Sequence, residues 1–368
     1  MATPKDVSMI RVLFECQEAY YWPQFAPIVD EMLRRKTYEI YLSCPAGMSA
    51  KEVSRLQSAA DNPDVEWVTE TTETDRIAQI SKINPELVFI GNKHSFPKLK
   101  KPTNKVVMVY HGIGLKQSYY RDIPKKVDFI AVESPSRMNR LRERGFRAEQ
   151  LILTGFTKLD PLIQTPFTGR SEFLESCGFR PDIPAILYAP TFYPSSLKTV
   201  LPQLKSTPDS QQWLVRLHQF SWTKPKYGWH VDLARELNHR PNVYVLPPGS
   251  ADILTLMQAA DALVTDISSV LFEFLAVNKP IVQFERLSLR MKHRLFPWIL
   301  HGRLDLDRMQ AVDFSIPITQ LPDLFPVVAD QLAHPDRLER ERVRAQNKYL
   351  YHVDGKASSR LLDALEST

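Results

Sequence analysis

Short apolar runs alternate with amphipathic stretches along most of this chain. β-Branched and aromatic residues dominate the runs, and apolar residues recur at helical spacing in the stretches between them. This alternation predicts repeated βα units whose strands form parallel sheets. The run Val-Val-Met-Val at 106–109 is apolar on both faces, as expected of a strand buried between two helical layers. The predicted strands are 10–14, 39–43, 65–69, 87–90, 105–110, 129–132 and 150–153 in the first half, and 185–189, 213–217, 243–246, 262–265 and 281–284 in the second.

The amphipathic stretches predict helices between these strands. Residues 162–184 are rich in proline and glycine, so they fit a connection between two domains. We therefore predict an α/β protein with two doubly wound, Rossmann-like domains facing across a cleft, at 1–165 and 166–368. Whether the last helices pack back on the first domain is left open. The predicted helices are 23–35, 50–60, 75–83, 135–143, 171–176, 231–239, 252–260, 269–276, 335–349 and 358–366.

Composition narrows the class of protein. The 368 residues are 43% hydrophobic and 24% charged, which excludes a disordered or collagen-like chain. Cys16, Cys44 and Cys177 form no C-x-x-C pair, so we expect neither a disulfide framework nor a zinc site, and a reducing cytosol is favoured. No apolar run reaches the roughly 18 residues of a membrane span. Residues 1–6 are not followed by the apolar region of a secretory signal peptide, so we expect no such signal here.

The formal net charge of +5 suits an anionic partner, either a nucleotide diphosphate or an anionic membrane surface. We expect no nucleic-acid partner. In residues 290–298, Arg-Met-Lys-His-Arg-Leu-Phe-Pro-Trp, basic side chains lead directly into large apolar ones. This composition is typical of a segment that lies at a lipid interface.

A histidine and two glycines follow the predicted strand 105–110. His111 at a strand exit is suited to act as a general base, and Gly112 lets a substrate approach the backbone closely. Lys116 lies near enough in sequence to reach a phosphate. The alternative is an ordinary turn with an exposed histidine.

Arg216 and His218 close the predicted strand 213–217 and, by alternation, project to the same side. The pair suits a phosphate, or charge that builds up while a phosphate is transferred, with His218 protonated. The alternative is that nearby carbonyl groups satisfy both side chains. Thr191, at the end of Tyr-Ala-Pro-Thr, also follows a strand and is a candidate hydrogen-bond donor to a ligand.

The run Thr-Asp-Ile-Ser-Ser at 265–269 is the most specific of these signals. It predicts a strand, a polar turn and a helix that Ser268 or Asp266 would cap. Free N–H groups and hydroxyls would then lie at the positive end of the helix, so Asp266, Ser268 and Ser269 are predicted to bind a diphosphate. Asp-Leu-Asp at 305–307 is interpreted as a charged loop. The P-loop, serine-hydrolase elbow and zinc-protease motifs are absent from the sequence.

Taken in order, these blocks resemble the CDP-glycerol glycerophosphotransferases, the family of the teichoic-acid primases and polymerases. The resemblance covers about residues 105–362. It rests on five blocks: His-Gly with Leu-Lys at 111–116, Tyr-Ala-Pro-Thr at 188–191, His218, the run 252–280, and Asp-Gly-Lys-Ala-Ser at 354–358.

The resemblance implies a GT-B fold with an N-terminal acceptor domain and a C-terminal CDP-donor domain. It implies a cytoplasmic enzyme, peripheral at the inner face of the cell membrane, that needs no metal and no other cofactor. Such enzymes transfer an alditol phosphate, most often glycerol phosphate, from a CDP-alditol to a hydroxyl of a glycan or lipid-linked acceptor, and CMP leaves. His111 would be the base, His218 the second essential histidine, and Ser268 and Ser269 the ligands of the donor phosphates. The two histidines, from opposite domains, are expected to converge on the phosphorus.

Two departures from the family pattern fall where the donor should bind. Phe192 stands near a usual arginine position and Gln219 replaces a proline, so the alditol on the donor stays open. One alternative is a GT-B glycosyltransferase that uses a nucleotide sugar in cell-surface polysaccharide synthesis. A sugar-nucleotide epimerase is disfavoured, because such epimerases commonly carry Ser-Gly-Gly where Ser268-Ser269-Val270 stands. A non-catalytic nucleotide-binding scaffold is the third alternative.

Overall fold

The computed structural model describes residues 9–165, 167–302 and 304–368. The chain divides into two units: unit 1 contains the described residues up to Gly112, Tyr119–Gln164 and Tyr351–Thr368, and unit 2 contains Ile113–Ser118 and the described part of Thr165–Leu350. The sequence predictions for residues 1–6 and for Pro166 lie outside the described residues. The acceptor and donor roles of the two domains stay predictions.

Seven parallel strands form the sheet of unit 1: β1 Ile10–Glu15, β2 Tyr38–Ser43, β3 Val65–Val68, β4 Leu87–Ile90, β5 Lys105–Val109, β6 Phe129–Val132 and β7 Leu151–Leu153. Their order is β3-β2-β1-β4-β5-β6-β7. The chain winds one way from β1 and the other way from β4, so the switch point lies between these two strands. Doubly wound sheets bind ligands at the carboxyl ends of the strands near such a point.

Six parallel strands form the sheet of unit 2: β8 Ala185–Tyr188, β9 Gln212–Val215, β10 Val243–Val245, β11 Ala262–Thr265, β12 Ile281–Phe284 and β13 Ile316–Ile318. The order β10-β9-β8-β11-β12-β13 repeats the winding of unit 1, with the switch point between β8 and β11. These two strands carry the Tyr-Ala-Pro-Thr and Thr-Asp-Ile-Ser-Ser blocks. The predicted α/β class with two doubly wound sheets is therefore confirmed.

The α-helices of the described residues pack on both sheets or connect their strands. They are α1 Trp22–Arg35, α2 Ala50–Ala59, α3 Glu73–Ile83, α4 Phe96–Leu99, α5 Ser118–Arg121, α6 Pro135–Glu143, α7 Asp160–Gln164, α8 Arg170–Ser176, α9 Leu197–Gln203, α10 Gln219–Thr223, α11 Trp229–Arg235, α12 Ile253–Ala259, α13 Val270–Glu273, α14 Met291–Leu295, α15 Pro297–His301, α16 Leu306–Gln310, α17 Leu324–Ala333, α18 Glu339–Tyr349 and α19 Ala357–Glu366. None of the described helices is long and apolar enough to cross a bilayer.

Apolar side chains on both faces of the central strands form the cores. In unit 1, Phe14 of β1 stacks on Phe89 of β4 with ring centroids 4.6 Å apart, and both side chains are fully buried. In unit 2, Tyr188 and Trp213 are equally buried. The strands beside each switch point are therefore anchored in these cores, so a binding site at their ends is supported by packed elements.

Residues 351–368 belong to unit 1, and their contacts give the Asp-Gly-Lys-Ala-Ser block at 354–358 a structural role. The Asp160 carboxylate accepts the N–H groups of Ala357 (2.9 Å) and Ser358 (2.7 Å) at the start of α19. Arg360 donates to the Thr154 carbonyl (2.7 Å) and to Asp354. The block at 354–358 therefore fastens α19 to the region after β7.

Candidate active site

His111 lies in unit 1, directly beyond the carboxyl end of β5 and half-buried. Its ring stacks on Tyr110 (centroids 4.5 Å apart) and on Tyr21 (4.8 Å), and it meets the edge of Tyr20 (5.1 Å). The Tyr21 hydroxyl accepts a hydrogen bond from the Asn92 amide at 2.8 Å, which fixes that ring. The imidazole is therefore held in one orientation by residues that follow β1, β4 and β5. Gly112, the next residue, is buried.

Asp266 organises the switch point of unit 2. Its carboxylate is fully buried and accepts four hydrogen bonds: from the N–H groups of Thr191 (2.8 Å) and Ser196 (2.9 Å) and from the hydroxyls of Ser196 (2.9 Å) and Ser195 (3.2 Å). Burial raises the pKa of Asp266 to about 6, and these four bonds oppose the rise. The loop after β8 is thus fixed on the residue after β11.

This arrangement gives Asp266 a structural role, and its role as a ligand of the donor stays a prediction. The sequence predicts a helix cap or a direct ligand of the donor, whereas the carboxylate oxygens point to residues 191–196. Pattern alone does not distinguish these roles, because the acceptor and the four donors are 70 to 75 residues apart in the chain.

Lys116 lies beside this loop. It belongs to unit 2, is half-buried, and its ammonium group donates to the Thr191 hydroxyl at 3.3 Å. The same group lies 4.6 Å from the centroid of the Phe192 ring, in a cation–π contact. Burial lowers the pKa of Lys116 to about 8, against the attraction of the Asp266 carboxylate. Thr191 is only 2% exposed, and its hydroxyl already accepts the hydrogen bond from Lys116. We therefore assign this hydroxyl the role of orienting the lysine.

His218 contacts the same phenylalanine ring, with centroids 4.7 Å apart. It is the N-cap of α10, and its Nδ1 accepts the N–H of Phe220 at 3.0 Å. A nitrogen that accepts a hydrogen bond carries no proton, so this bond favours the neutral tautomer with the proton on Nε2. The protonated state predicted for His218 would require this bond to break, whereas a neutral Nε2–H can still donate to a phosphate.

Arg216 follows β9 and is half-buried. Burial lowers its pKa, and the Asp252 carboxylate partly opposes that effect. A guanidinium keeps its proton throughout the physiological range, so Arg216 adds a fixed positive charge two residues before His218. Lys116 and His218 both contact the Phe192 ring, and the three side chains form one cluster. The sequence identifies the lysine and the histidine as candidates but not their contact through Phe192, because a phenylalanine carries no reactive group.

Ser268 and Ser269 follow Asp266 at the carboxyl edge of the sheet. Ser268 is 7% exposed and its hydroxyl accepts the Val270 N–H at 3.4 Å, while Ser269 is half-buried at the start of α13. The predicted helix 269–276 is a single α-turn, Val270–Glu273, that continues as a 3₁₀ helix over Phe274–Val277. A helix this short contributes little macrodipole, so the hydroxyls matter more than the helix end.

Asp305 of the Asp-Leu-Asp sequence is 1% exposed, and its carboxylate caps α16 by accepting the Arg308 N–H at 3.3 Å. Within the described parts of the chain, no group of three or more histidine, cysteine, aspartate or glutamate side chains is arranged to hold a metal ion.

Comparison with known proteins identifies a family and several similar structures. The family model for CDP-glycerol:poly(glycerophosphate) glycerophosphotransferases matches residues 64–367. A teichoic acid glycerol-phosphate primase of Bacillus subtilis (strain 168) is 25% identical over 206 residues, and this match spans half of each chain.

Among solved structures, the wall teichoic acid polymerase TagF superposes with a TM-score of 0.65 at 16% identity, over 100% of this chain and 92% of the polymerase chain. A putative UDP-N-acetylglucosamine 2-epimerase from Listeria monocytogenes gives a TM-score of 0.63 at 16% identity, over 98% and 96% of the two chains. At identities this low the superpositions show the fold alone. That fold agrees with the GT-B class predicted from the sequence. Because the family model matches most of its length, this chain belongs to the CDP-glycerol:poly(glycerophosphate) glycerophosphotransferase family.

Proposed function

We propose that this protein transfers an alditol phosphate, with glycerol phosphate the first candidate, from a CDP-alditol to a hydroxyl group of a glycan or lipid-linked acceptor. The observation that carries the proposal is the Lys116–Phe192–His218 cluster at the switch point of unit 2, in a chain of this family. A cation, an imidazole N–H and serine hydroxyls are groups that bind a diphosphate.

In the proposed reaction the acceptor oxygen attacks the phosphorus that carries the alditol. The bond from that phosphorus to the oxygen shared with CMP breaks, and CMP leaves with the electron pair. His111 accepts the proton of the attacking hydroxyl. Lys116, Arg216 and the Nε2–H of His218 stabilise the charge on the phosphates, while Ser268 and Ser269 donate further hydrogen bonds and Gly112 leaves room beside the base.

We also propose that the reaction needs no metal. Phosphoryl transfer depends mainly on positioning and charge stabilisation, and Lys116 and Arg216 supply two positive charges on the same edge of the sheet. Turnover is expected to persist in EDTA, and loss of turnover on chelation followed by recovery with Mg²⁺ would overturn this part of the proposal.

Donor identity is tested by ligand binding. A ligand at 100 times its Kd stabilises a folded protein by about 2.7 kcal/mol, which a thermal shift detects. CDP-glycerol, CDP-ribitol, UDP-glucose and UDP-N-acetylglucosamine are compared at equal concentration. The proposal expects stabilisation by a CDP-alditol and not by UDP-sugars, and the reverse pattern would favour a glycosyltransferase.

The lowered pKa of Lys116 predicts a pH dependence of donor binding. With a pKa of about 8, the free ammonium group is mostly charged at neutral pH and mostly neutral one unit above that pKa. Because the phosphate binds the charged form, the Kd for CDP-glycerol should rise about tenfold from pH 7 to 9. Lys116→Arg, which stays charged, should remove the rise, and Lys198→Arg on the exposed side of α9 serves as the matched control. An equal rise in the Lys116→Arg protein would show that another group titrates.

The two serines predict a loss of donor affinity on removal of their hydroxyls. A hydrogen bond to a charged group contributes about 1.5–3 kcal/mol, so Ser269→Ala should raise the Kd for CDP-glycerol roughly tenfold or more, and the Ser268→Ala/Ser269→Ala protein should lose further affinity. Calorimetric titration measures the effect, with Ser176→Ala on α8 as the control. Parental affinity in the double variant would remove both serines from the site.

The segment 291–300 supports a proposal about the membrane. It comprises α14 and most of α15, and its exposed side chains include Met291 (75%), Leu295 (63%) and Trp298 (65%), with exposed Arg290 and Arg294 beside them. The side chains of Lys292 and Arg303 lie outside the described part. Apolar residues flanked by cations fit an anionic leaflet, so we propose peripheral binding at the inner face of the cell membrane.

Vesicle sedimentation tests this proposal. The protein should bind phosphatidylglycerol vesicles and not phosphatidylcholine vesicles, and binding should weaken in high salt because each basic residue contributes about 1 kcal/mol by a screened interaction. Arg294→Glu should weaken binding, whereas Arg240→Glu, an exposed arginine just before β10, should not. Equal binding to both lipids would mean that segment 291–300 has no electrostatic role.

A further inference from the structure

Both ends of segment 291–300 are anchored on loops of the candidate donor site, and all of the residues concerned belong to unit 2. At the first anchor, Ser288 pairs with Ser195 in an antiparallel bridge, and the Ser288 N–H donates to the Ser195 carbonyl at 2.8 Å. Ser195 is part of the loop that the Asp266 carboxylate holds and that carries Thr191.

Tyr193 strengthens this first anchor. Its hydroxyl accepts the Arg290 N–H at 3.0 Å and forms a hydrogen bond with Nδ1 of His293, which lies in α14. The Arg290 guanidinium lies 4.4 Å from the centroid of the Tyr193 ring and donates to the Tyr227 hydroxyl at 3.1 Å. One hydroxyl therefore joins the donor-site loop to His293 of segment 291–300 and to Arg290, the residue directly before that segment.

At the second anchor, residues 304–308 hold the stretch that contains Lys116. Lys116 pairs with Leu304 in an antiparallel bridge, and the Asp305 N–H donates to the Leu115 carbonyl at 2.9 Å. The Gln117 amide donates to the Leu304 carbonyl at 3.3 Å, and the buried Arg308 guanidinium lies 3.5 Å from the Gly114 carbonyl. The position of Lys116 is thus set by the residues that follow α15.

The two anchored loops meet at the hydrogen bond between Lys116 and Thr191. A displacement of segment 291–300 therefore acts on both partners of that bond through backbone contacts. The segment itself exposes most of its large side chains, so it packs against little of its own chain, and a surface that binds it would order it. If ordering one site orders the other, the two binding events favour each other, and the coupling is reciprocal.

We infer that docking of segment 291–300 on an anionic lipid surface and binding of the donor phosphates at Lys116, which Thr191 orients, are positively coupled, with Tyr193 and Arg290 as the positioning residues of the first anchor. The inference rests on the proposed function for the identity of the donor, and on the contacts of unit 2 for the coupling itself. By this inference the membrane activates the donor site, besides being the surface to which a lipid-linked acceptor would be attached.

Hydrogen exchange of the full chain measures the coupling without any donor. Vesicles of phosphatidylglycerol and phosphatidylcholine in equal parts should slow exchange in residues 291–300 and also in residues 114–117 and 191–196. Exchange in β10, at the far edge of the same sheet, should not change. Protection confined to residues 291–300, or no protection there at all, would overturn the inference.

Donor affinity provides the second measurement. The same vesicles should lower the Kd for CDP-glycerol by about fivefold or more, the lower end of typical coupling between sites. Tyr193→Phe keeps the ring under the Arg290 guanidinium and removes only the hydroxyl, so it should bind vesicles like the parent and lose most of the gain in donor affinity. Tyr244→Phe, in β10, should keep the full gain. A full gain in the Tyr193→Phe protein would contradict the role of this anchor.

The two measurements separate failure of the coupling from failure of the proposed function. Slower exchange in residues 114–117 and 191–196 on vesicles, in a protein that does not bind CDP-glycerol, would support the coupling and reject the donor. Unchanged exchange in those loops, in a protein that binds and turns over CDP-glycerol, would reject the coupling and leave the proposed function intact.

Discussion

Replacing His111 by alanine should lower kcat for glycerol phosphate transfer by about 10²–10⁴, the usual contribution of a general base. The Kd for CDP-glycerol should stay near the parental value, because His111 lies in unit 1 and the donor phosphates are assigned to residues of unit 2. Loss of turnover with intact donor binding is the signature of a residue that acts only during the chemical step.

The control for His111→Ala is His239→Ala, which removes an exposed imidazole just before β10. It should leave both kcat and Kd unchanged. Because the His111 ring packs on Tyr21 and Tyr110 of unit 1, a parental circular dichroism spectrum and melting temperature serve as the evidence that the His111→Ala protein is folded. Parental turnover in that protein would remove His111 from the mechanism.

Replacing His218 should impair donor binding and turnover together. Its Nε2–H is assigned to a phosphate already in the bound donor, and a hydrogen bond to a charged group contributes about 1.5–3 kcal/mol, so the Kd for CDP-glycerol should rise roughly 10-fold to 150-fold. A further loss in kcat is expected as charge builds up in the transition state. Titration calorimetry and initial rates measure the two effects separately.

A structural role of His218 must be distinguished from this one, since its Nδ1 also caps α10. Asparagine is a strong N-cap residue, so His218→Asn can keep the bond to the Phe220 N–H while losing the Nε2–H. We expect His218→Ala and His218→Asn to lose donor affinity alike. Recovery in the asparagine variant would mean that His218 only positions α10.

Much of the fold could be predicted because buried parallel strands are apolar on both faces. The runs 87–90, 129–132, 262–265 and 281–284 are strands with those bounds. β13 was missed, because Pro317 lacks an N–H and makes the stretch unlike an interior strand; it is the edge strand of its sheet, where proline is tolerated.

The candidate site could be predicted only residue by residue. Strand ends identify Lys116, Thr191, Arg216 and His218, because their positions follow from local pattern. The contacts of Asp266 and of Tyr193 depend on residues about 70 and 100 positions away, and no periodicity in the sequence encodes such pairs. The tautomer of His218 likewise depends on one backbone N–H at the start of α10.

Product formation from CDP-glycerol tests the central claim most directly. The purified protein is incubated with CDP-glycerol labelled in the glycerol carbon and with a glycan or lipid-linked acceptor, and CMP and labelled acceptor are quantified together. We predict equal amounts of CMP and of glycerol phosphate on the acceptor, with both products formed about 10²–10⁴ times more slowly by the His111→Ala protein. Release of UDP from a UDP-sugar in place of CMP, with sugar appearing on the acceptor, would contradict it.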